Sequence, residues 1–218
     1  MHITRSSSEN RIQKLVDKVN SLNPDVIVLT GDIIDDRASY VQEYFPILDK
    51  LDANGGVYFV IGNHEYYNGL GQILKSLHQT KIKHLMNEGE LIAGKNLYIG
   101  GVPDKSAAMM NPYFAIKINE ASKKANKQNY RVLLCHNPST VDMVTDKDFD
   151  LVLSGHTHGG QIFPFNFLAE KANKYLAGLY KINGAHLYVS RGTGYWGPPM
   201  RLGAPAEITL IQINPQKK

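Results

Sequence analysis

The chain has 218 residues, of which 43% are hydrophobic and 20% charged, a composition typical of one globular α/β domain and not of disordered, collagen-like or coiled-coil chains. No uninterrupted apolar run reaches the length of about 18 residues that a membrane-spanning helix needs. The formal net charge of +4 suits an anionic substrate but is too small to indicate nucleic-acid binding, and the single cysteine excludes an intramolecular disulfide and a cysteine-based metal cluster.

The first half of the chain alternates helices with short apolar strands. Apolar residues at helical spacing predict helices over 9–21 and 41–51. Apolar runs at 25–30 and 57–61 predict buried parallel strands, because each is bounded by turn residues and ends in a glycine followed by polar side chains. Apolar and polar residues alternate on both sides of a Gly-Lys-Asn sequence, which predicts a hairpin over 90–102.

The second half of the chain again combines a helix with short apolar strands, and its composition changes after Gly160. Strands are predicted at 131–135 and 150–154, after a helix over 115–126. Beyond Gly160 the chain is richer in glycine and aromatic residues, and the extended runs 186–190 and 207–211 predict strands of a second sheet. An absence of repeats and linkers favours a single domain over 1–218.

An apolar segment in this second half has two open interpretations. Its members are either part of the core or a hydrophobic lid for an acyl-bearing or membrane-proximal substrate. They are Phe163, Phe165, Phe167, Leu168, Tyr175, Leu176 and Leu179.

Residues that can bind a metal follow the predicted strands. Asp32, Asn63 and His136 each come directly after an apolar run, and His156 and His158 follow a fourth. The carboxyl ends of parallel strands gather at one crevice of an α/β protein, so these side chains are expected to converge. Each residue alone has an ordinary role in a turn or a core, but the ordered set predicts a metal site. Imidazole, carboxylate and amide ligands without thiolate suit manganese, iron, zinc or nickel.

Four short motifs in this order resemble those of the calcineurin-like metallophosphoesterases. They are Gly31-Asp32, Gly62-Asn63-His64-Glu65, His136 and Gly155-His156-Thr157-His158. The resemblance covers nearly the whole chain. The later glycine-rich segments 159–161, 190–194 and 199–203 are similar to a subgroup that contains bacterial membrane-associated phosphoesterases and UDP-2,3-diacylglucosamine pyrophosphohydrolases.

The resemblance implies an α/β (α+β) four-layer fold, a two-sheet β-sandwich flanked by helices, with two divalent metal ions at one edge. Asp32 would bridge the ions, Asn63, His136 and His156 would complete one site, and His158 would belong to the other. His64 would face the substrate as a general acid or as a cation that stabilises the leaving oxygen. We expect Glu65 either to orient His64 or to be solvated.

The start of the chain departs from the family pattern. The family opens with Asp-x-His after its first strand, whereas this chain begins Met1-His2. His2 aligns with the motif histidine, so the first strand and its aspartate would lie before Met1, and we expect an N-terminally truncated domain. With His2 on a fraying terminus and one acid missing, the first metal site is expected to be weak or empty.

The predicted function is metal-dependent hydrolysis of a phosphoester, a phosphodiester or pyrophosphate rather than a phosphoprotein, by a hydroxide that bridges the two metals. Arg201 is a candidate for substrate binding, because a guanidinium matches a phosphate. Two alternatives stay open: a non-catalytic metal-binding or scaffold domain, and a nucleic-acid phosphodiesterase. The absence of a dense basic stripe interleaved with aromatic residues argues against the second alternative.

The expected substrate is a phosphorylated small molecule or a lipid-linked phosphoester, and nucleic acid is not expected. The chain as given is expected to be soluble. The full-length protein is expected to associate with a membrane through residues upstream of Met1, on a side that the sequence does not reveal.

Overall fold

A computed structural model of the protein describes residues 1–214. In this part of the chain the strands form two sheets. The first is parallel, in the order β1 (Ile27–Leu29), β2 (Val57–Phe59), β3 (Ile82–His84). The second has the strands β4 (Glu88–Leu91), β5 (Leu97–Gly101), β6 (Tyr130–Leu134), β7 (Leu151–Ser154), β8 (Gly178–Ile182) and β9 (Ala185–Val189), in the order β4-β5-β6-β7-β9-β8. The predicted hairpin is the antiparallel pair β4–β5.

Helices cover the outer faces of the two sheets. They are α1 (Glu9–Asn20), α2 (Phe45–Leu48), α3 (Asn63–Tyr67), α4 (Leu70–Leu77), α5 (Ala107–Met110), α6 (Ile118–Ser122) and α7 (Asn166–Ala172). Helix α1 begins where the Ser8 hydroxyl accepts a hydrogen bond from the Arg11 amide, and it buries Ile12 and Val16 against the first sheet. None of the helices in residues 1–214 is both long and apolar enough to cross a membrane.

The core between the sheets explains the layered arrangement. Tyr58 and Val60 from the first sheet pack with Ile99, Val132 and Leu153 from the second in one buried apolar cluster. Separate clusters join each sheet to the helices on its outer face. The predicted four-layer architecture, a two-sheet sandwich flanked by helices, is therefore confirmed.

Three predicted elements differ in the structure. The helix predicted over 41–51 is a 3₁₀ turn (Gln42–Tyr44) followed by the short α2, which has a proline in its first turn, and the helix predicted over 115–126 shrinks to α6. The run 207–211 lies outside both sheets. Residues 207–214 and β1 line the same crevice of about 1410 Å³, so this segment is held apart from the edge strand that it would have to pair with.

The core interpretation of the aromatic segment after Gly160 is wrong for most of its large side chains. Phe163, Phe165, Phe167 and Leu168 are each more than half exposed on and before α7, whereas Tyr175 is buried. Helix α7 ends at Ala172 and β8 begins at Gly178, so the segment does not form one continuous helix with a single buried face.

Candidate metal centre

The predicted ligands of the second metal come from both sheets and meet at Asp32. Asp32 follows β1 and is 3% exposed, and Asn63 follows β2 at the start of α3. His136 and His156 follow β6 and β7 of the other sheet. The His136 Nε2 atom lies 3.0 Å from Asp32 Oδ2, 3.1 Å from Asn63 Oδ1 and 3.1 Å from His156 Nδ1. Four side chains thus present ligand atoms to one another across the edge of the sandwich.

The predicted ligands of the first metal lie on the other side of Asp32. The His2 Nε2 atom is 3.5 Å from Asp32 Oδ2 and 2.9 Å from His158 Nε2. The expectation that His2 frays is wrong, because it is buried and the Met1 amine and His2 amide both donate to the Asp32 carbonyl oxygen, at 2.7 and 2.9 Å. The structure therefore brings all six predicted ligands together, with Asp32 between the two groups.

Two glycines make this close approach possible. A Cβ atom on Gly31 would lie 2.6 Å from His136 Nδ1, and a Cβ atom on Gly62 would lie 2.2 Å from Asp32 Oδ1. Both distances are too short for any side chain. The glycine before each ligand is thus required by the packing of the ligands and not only by the turn that each strand makes.

Outer hydrogen bonds orient the imidazoles. The His136 Nδ1–H donates to the Thr30 carbonyl oxygen at 2.7 Å, which leaves Nε2 as the ligand atom toward Asp32. Likewise, His2 Nδ1 lies 3.1 Å from Asp35 Oδ2, and its Nε2 faces Asp32 and His158. Such partners fix the tautomer of metal-binding histidines.

The protonation states of all the titratable ligands except His136 suit a divalent cation. Burial lowers the pKa of His2 and His156 to about 4 and that of His158 to about 2, so their imidazoles are neutral near pH 7. Burial also opposes charge on His136, but its contact with the Asp32 carboxylate prevails and raises its pKa to about 9. The same contact keeps the pKa of Asp32 well below its ordinary value, against the effect of burial. Neutral imidazoles and an ionised carboxylate are the forms that bind metals, so His2, His156, His158 and Asp32 are ready to bind such an ion, whereas His136 has to give up a proton to it.

The backbone of the predicted ligands is unusual. His2, Asp32, His156 and His158 have φ angles of 54°, 51°, 73° and 54°, in the left-handed region that residues with a side chain rarely adopt. Aspartate and histidine tolerate this region better than branched residues do, but the conformation still costs free energy. Local strain concentrated at four converging ligand-type residues is typical of a functional site.

His64 lies at the rim of the cluster, where Asp35 holds it. Its backbone amide donates to Asp32 Oδ1 at 3.0 Å, and its Nδ1 is 2.5 Å from Asp35 Oδ1. Burial disfavours the imidazolium, but the hydrogen bond to Asp35 and nearby carboxylates raise the pKa of His64 above its ordinary value. Asp35 is not among the residues predicted from the sequence, although it stands only three residues after Asp32 on the same loop.

Glu65 has a different partner from the one expected. It is fully buried and makes no hydrogen bond to the His64 side chain; its carboxylate accepts from the amides of Asp32, Ile33 and Ile34 at 2.7–3.0 Å, and from Gly62 at 2.8 Å. Glu65 therefore fixes the loop that carries Asp32.

Arg201 directs all five of its N–H donors at protein acceptors. They reach the carbonyl oxygens of Arg191, Gly194, His158 and Ala204 and the His158 ring. In this arrangement Arg201 closes the loop 191–204 onto His158. Its role in substrate binding stays a prediction.

The comparisons with known proteins agree with this geometry. A family model described as Calcineurin-like phosphoesterase matches residues 1–160. The chain belongs to this family. The predicted resemblance to the metallophosphoesterases is confirmed, whereas its subgroup with the UDP-2,3-diacylglucosamine enzymes stays a prediction.

Metallophosphoesterase relatives match along the whole chain. The protein named Uncharacterized metallophosphoesterase Cj0846, from Campylobacter jejuni, is 38% identical over 225 residues, which cover 100% of this chain and 58% of that protein. A zebrafish (Danio rerio) protein named Transmembrane protein with metallophosphoesterase domain is 33% identical over 224 residues, or 98% of this chain and 51% of that protein. The chain thus spans little more than half the length of these relatives.

Two solved structures of nucleotidases share the fold. The Haemophilus influenzae NAD nucleotidase has a TM-score of 0.56 at 20% identity, covering 85% of this chain and 39% of that one. A Thermus thermophilus 5'-nucleotidase precursor has a TM-score of 0.55 at 18% identity, covering 85% and 43%. At this identity the similarity shows the fold alone.

Proposed function

We propose that this metallophosphoesterase domain hydrolyses a phosphodiester or a pyrophosphate with the help of two divalent ions. The observation that carries the proposal is the convergence of six ligand-type side chains from both sheets around Asp32, with His64 fixed at their rim. His2, Asp32 and His158 would hold one ion, and Asp32, Asn63, His136 and His156 the other. When bound, such ions lower the pKa of the attacking water and neutralise the charge that develops on the phosphate oxygens.

His64 supplies the proton for the leaving oxygen. Because its Nδ1 is bound to Asp35, the transferable proton is held at Nε2. The hydrogen bond from the His64 amide to Asp32 fixes the distance between this acid and the ligand cluster. The leaving group therefore departs on the His64 side of the centre.

The two ions are held unequally in this proposal. The first position has one carboxylate and two imidazoles, whereas the second has an additional amide oxygen and all its ligands follow strands of the core. The second site is expected to fill first, and the first to be weak or empty. Ligands of this kind suit manganese, iron, zinc or nickel.

The proposed substrate is a phosphorylated small molecule or a lipid-linked phosphoester, used by a full-length protein that associates with a membrane. Two observations support this class. The zebrafish relative is named a transmembrane protein, and this chain covers only 51% of it. Exposed Phe163, Phe165 and Leu168 also form an apolar surface on the segment that follows the His156–His158 motif.

Metal content and turnover of an aryl phosphodiester test the proposal. After loading with manganese, Asp32→Ala and His156→Ala should lose bound metal by elemental analysis, whereas the exposed His78→Ala should retain it. His64→Asn should keep the metal and lower turnover by about 10²–10⁴-fold, the range for a positioned acid–base group. Equal metal content in all of these variants would refute the site, and unchanged turnover in His64→Asn would favour the scaffold alternative.

A further inference from the structure

Two exposed aromatic rings flank His64. The ring centroids of Tyr67 and Trp196 lie 5.7 and 6.1 Å from that of His64, at interplanar angles of 61° and 72°. Tyr67 is 64% and Trp196 55% exposed. Large aromatic rings that stay exposed beside a reactive group offer apolar area to a ligand.

Trp196 is held in place through its backbone. The Gln161 side chain, itself only 8% exposed, donates from Nε2 to the Trp196 carbonyl oxygen at 2.7 Å and accepts from the Trp196 amide at 2.8 Å. Gln161 stands three residues after His158, so the metal motif and the tryptophan are joined by a buried contact.

The rest of the loop is fixed as firmly. Arg201, which follows Trp196 in the chain, donates to the carbonyl oxygens of Gly194 and Arg191, which precede it, both at 2.6 Å, and so closes the loop that carries Trp196. The indole is therefore presented to solvent by an ordered loop, and a ligand that contacts it does not have to order the loop first.

We propose that Trp196 and Tyr67 form a subsite for a planar ring, an aryl group or a nucleobase, on the leaving group of the phosphoester. The inference rests on the proposed function, because His64 marks the side on which the leaving group departs. A ring bound there can stack against the indole, and such a contact strengthens binding by about tenfold. Tyr67 offers a second exposed ring next to His64.

The affinities of phosphonates test this subsite separately from hydrolysis. Trp196 is the only tryptophan of the sequence, so its fluorescence reports on the subsite directly. In the manganese-loaded protein, 4-nitrophenylphosphonate should bind about tenfold more tightly than methylphosphonate and quench this fluorescence. Trp196→Ala should remove most of the preference for the aryl compound, and Trp196→Phe should retain it.

Phe167→Ala is the matched control. Phe167 is also 55% exposed but packs against Phe163 and not against His64. It should leave the aryl-to-methyl affinity ratio unchanged. An equal loss of this ratio in Phe167→Ala, or binding of the nitrophenyl compound without quenching, would overturn the subsite. If the aryl-to-methyl affinity ratio is as expected but the protein hydrolyses no phosphodiester or pyrophosphate, only the proposed function is refuted. If the protein hydrolyses such a substrate but binds the two phosphonates equally, only the subsite is refuted.

Discussion

The Asp35 carboxylate is hydrogen-bonded to two histidines that have different proposed roles. Its Oδ2 lies 3.1 Å from His2 Nδ1 and its Oδ1 2.5 Å from His64 Nδ1, so one carboxylate orients a predicted metal ligand and the proposed general acid. These contacts also keep the pKa of Asp35 below its ordinary value, although burial opposes its charge. Asp35 is thus ionised at neutral pH and stabilises the imidazolium form of His64.

Asp35→Asn should lower turnover by about 10- to 100-fold, as removal of an orienting carboxylate usually does. The substitution removes the contact that raises the pKa of His64, so this pKa falls. A general acid is active while protonated, and activity is lost as pH rises through its pKa. The alkaline limb of the pH–rate profile should therefore move to lower pH.

Asp36→Asn is the control for this substitution. The neighbouring Asp36 pairs with Arg5 on the surface, 3.0 Å from its Nε. Its profile should match that of the unchanged protein. An unshifted alkaline limb in Asp35→Asn would show that another group supplies the proton.

The first turn of α3, which follows β2, is hydrogen-bonded to the loop after β1. Glu65 on this helix accepts four backbone hydrogen bonds, three of them from the loop that carries Asp32. Buried amides left without an acceptor destabilise a fold, so this side chain fixes a loop of the neighbouring strand.

Glu65→Ala should lower the free energy of unfolding by about 3 kcal/mol, because it leaves buried N–H groups unsatisfied. It should also weaken metal binding, since the Asp32 loop loses its anchor. Urea unfolding and manganese titration measure the two effects. The exposed Glu43→Gln should change neither, and a normal stability of Glu65→Ala would contradict the anchoring role.

The short-range pattern of apolar and polar residues predicted more of the candidate metal ligands than of the residues that surround them. Five of the six ligands could be found because they follow apolar strands, a signal within about ten residues of sequence, whereas His2 was predicted only from the resemblance to the family motif. The hydrogen bonds of Asp35 to His2 and of Gln161 to Trp196 join residues 33 and 35 positions apart, so no local period reveals them. The core and lid interpretations of the aromatic segment could not be distinguished from the sequence, because composition does not show which face a side chain takes.

Across the molecule, the metal centre joins the two sheets. Asp32 and Asn63 follow strands of the first sheet, and His136 and His156 follow strands of the second. An ion held by all four would bind only when the sheets are packed correctly. Its binding free energy would then add to the stability of the whole sandwich.

Manganese should raise the melting temperature of the chain by roughly 5–10 °C at about 100 times its dissociation constant, and a chelator should reverse the shift. The pKa of about 9 at His136 means that the ion must displace a proton, so the shift should grow as pH rises from 6 to 9. Differential scanning calorimetry checks both effects. His78→Ala should show the same shift, whereas a shift retained in Asp32→Ala would contradict a shared centre.

The left-handed backbone at His2, Asp32, His156 and His158 places two requirements in conflict. The stability of the fold favours one kind of residue at these positions, and the proposed chemistry requires another. Glycine adopts this conformation without steric conflict, so the fold by itself would favour glycine at each of the four positions. In the proposed function, their role as metal ligands is what would keep imidazole and carboxylate groups there. A lineage that no longer used the reaction would therefore gain stability while it lost these residues, and its descendants would be more robust but inert.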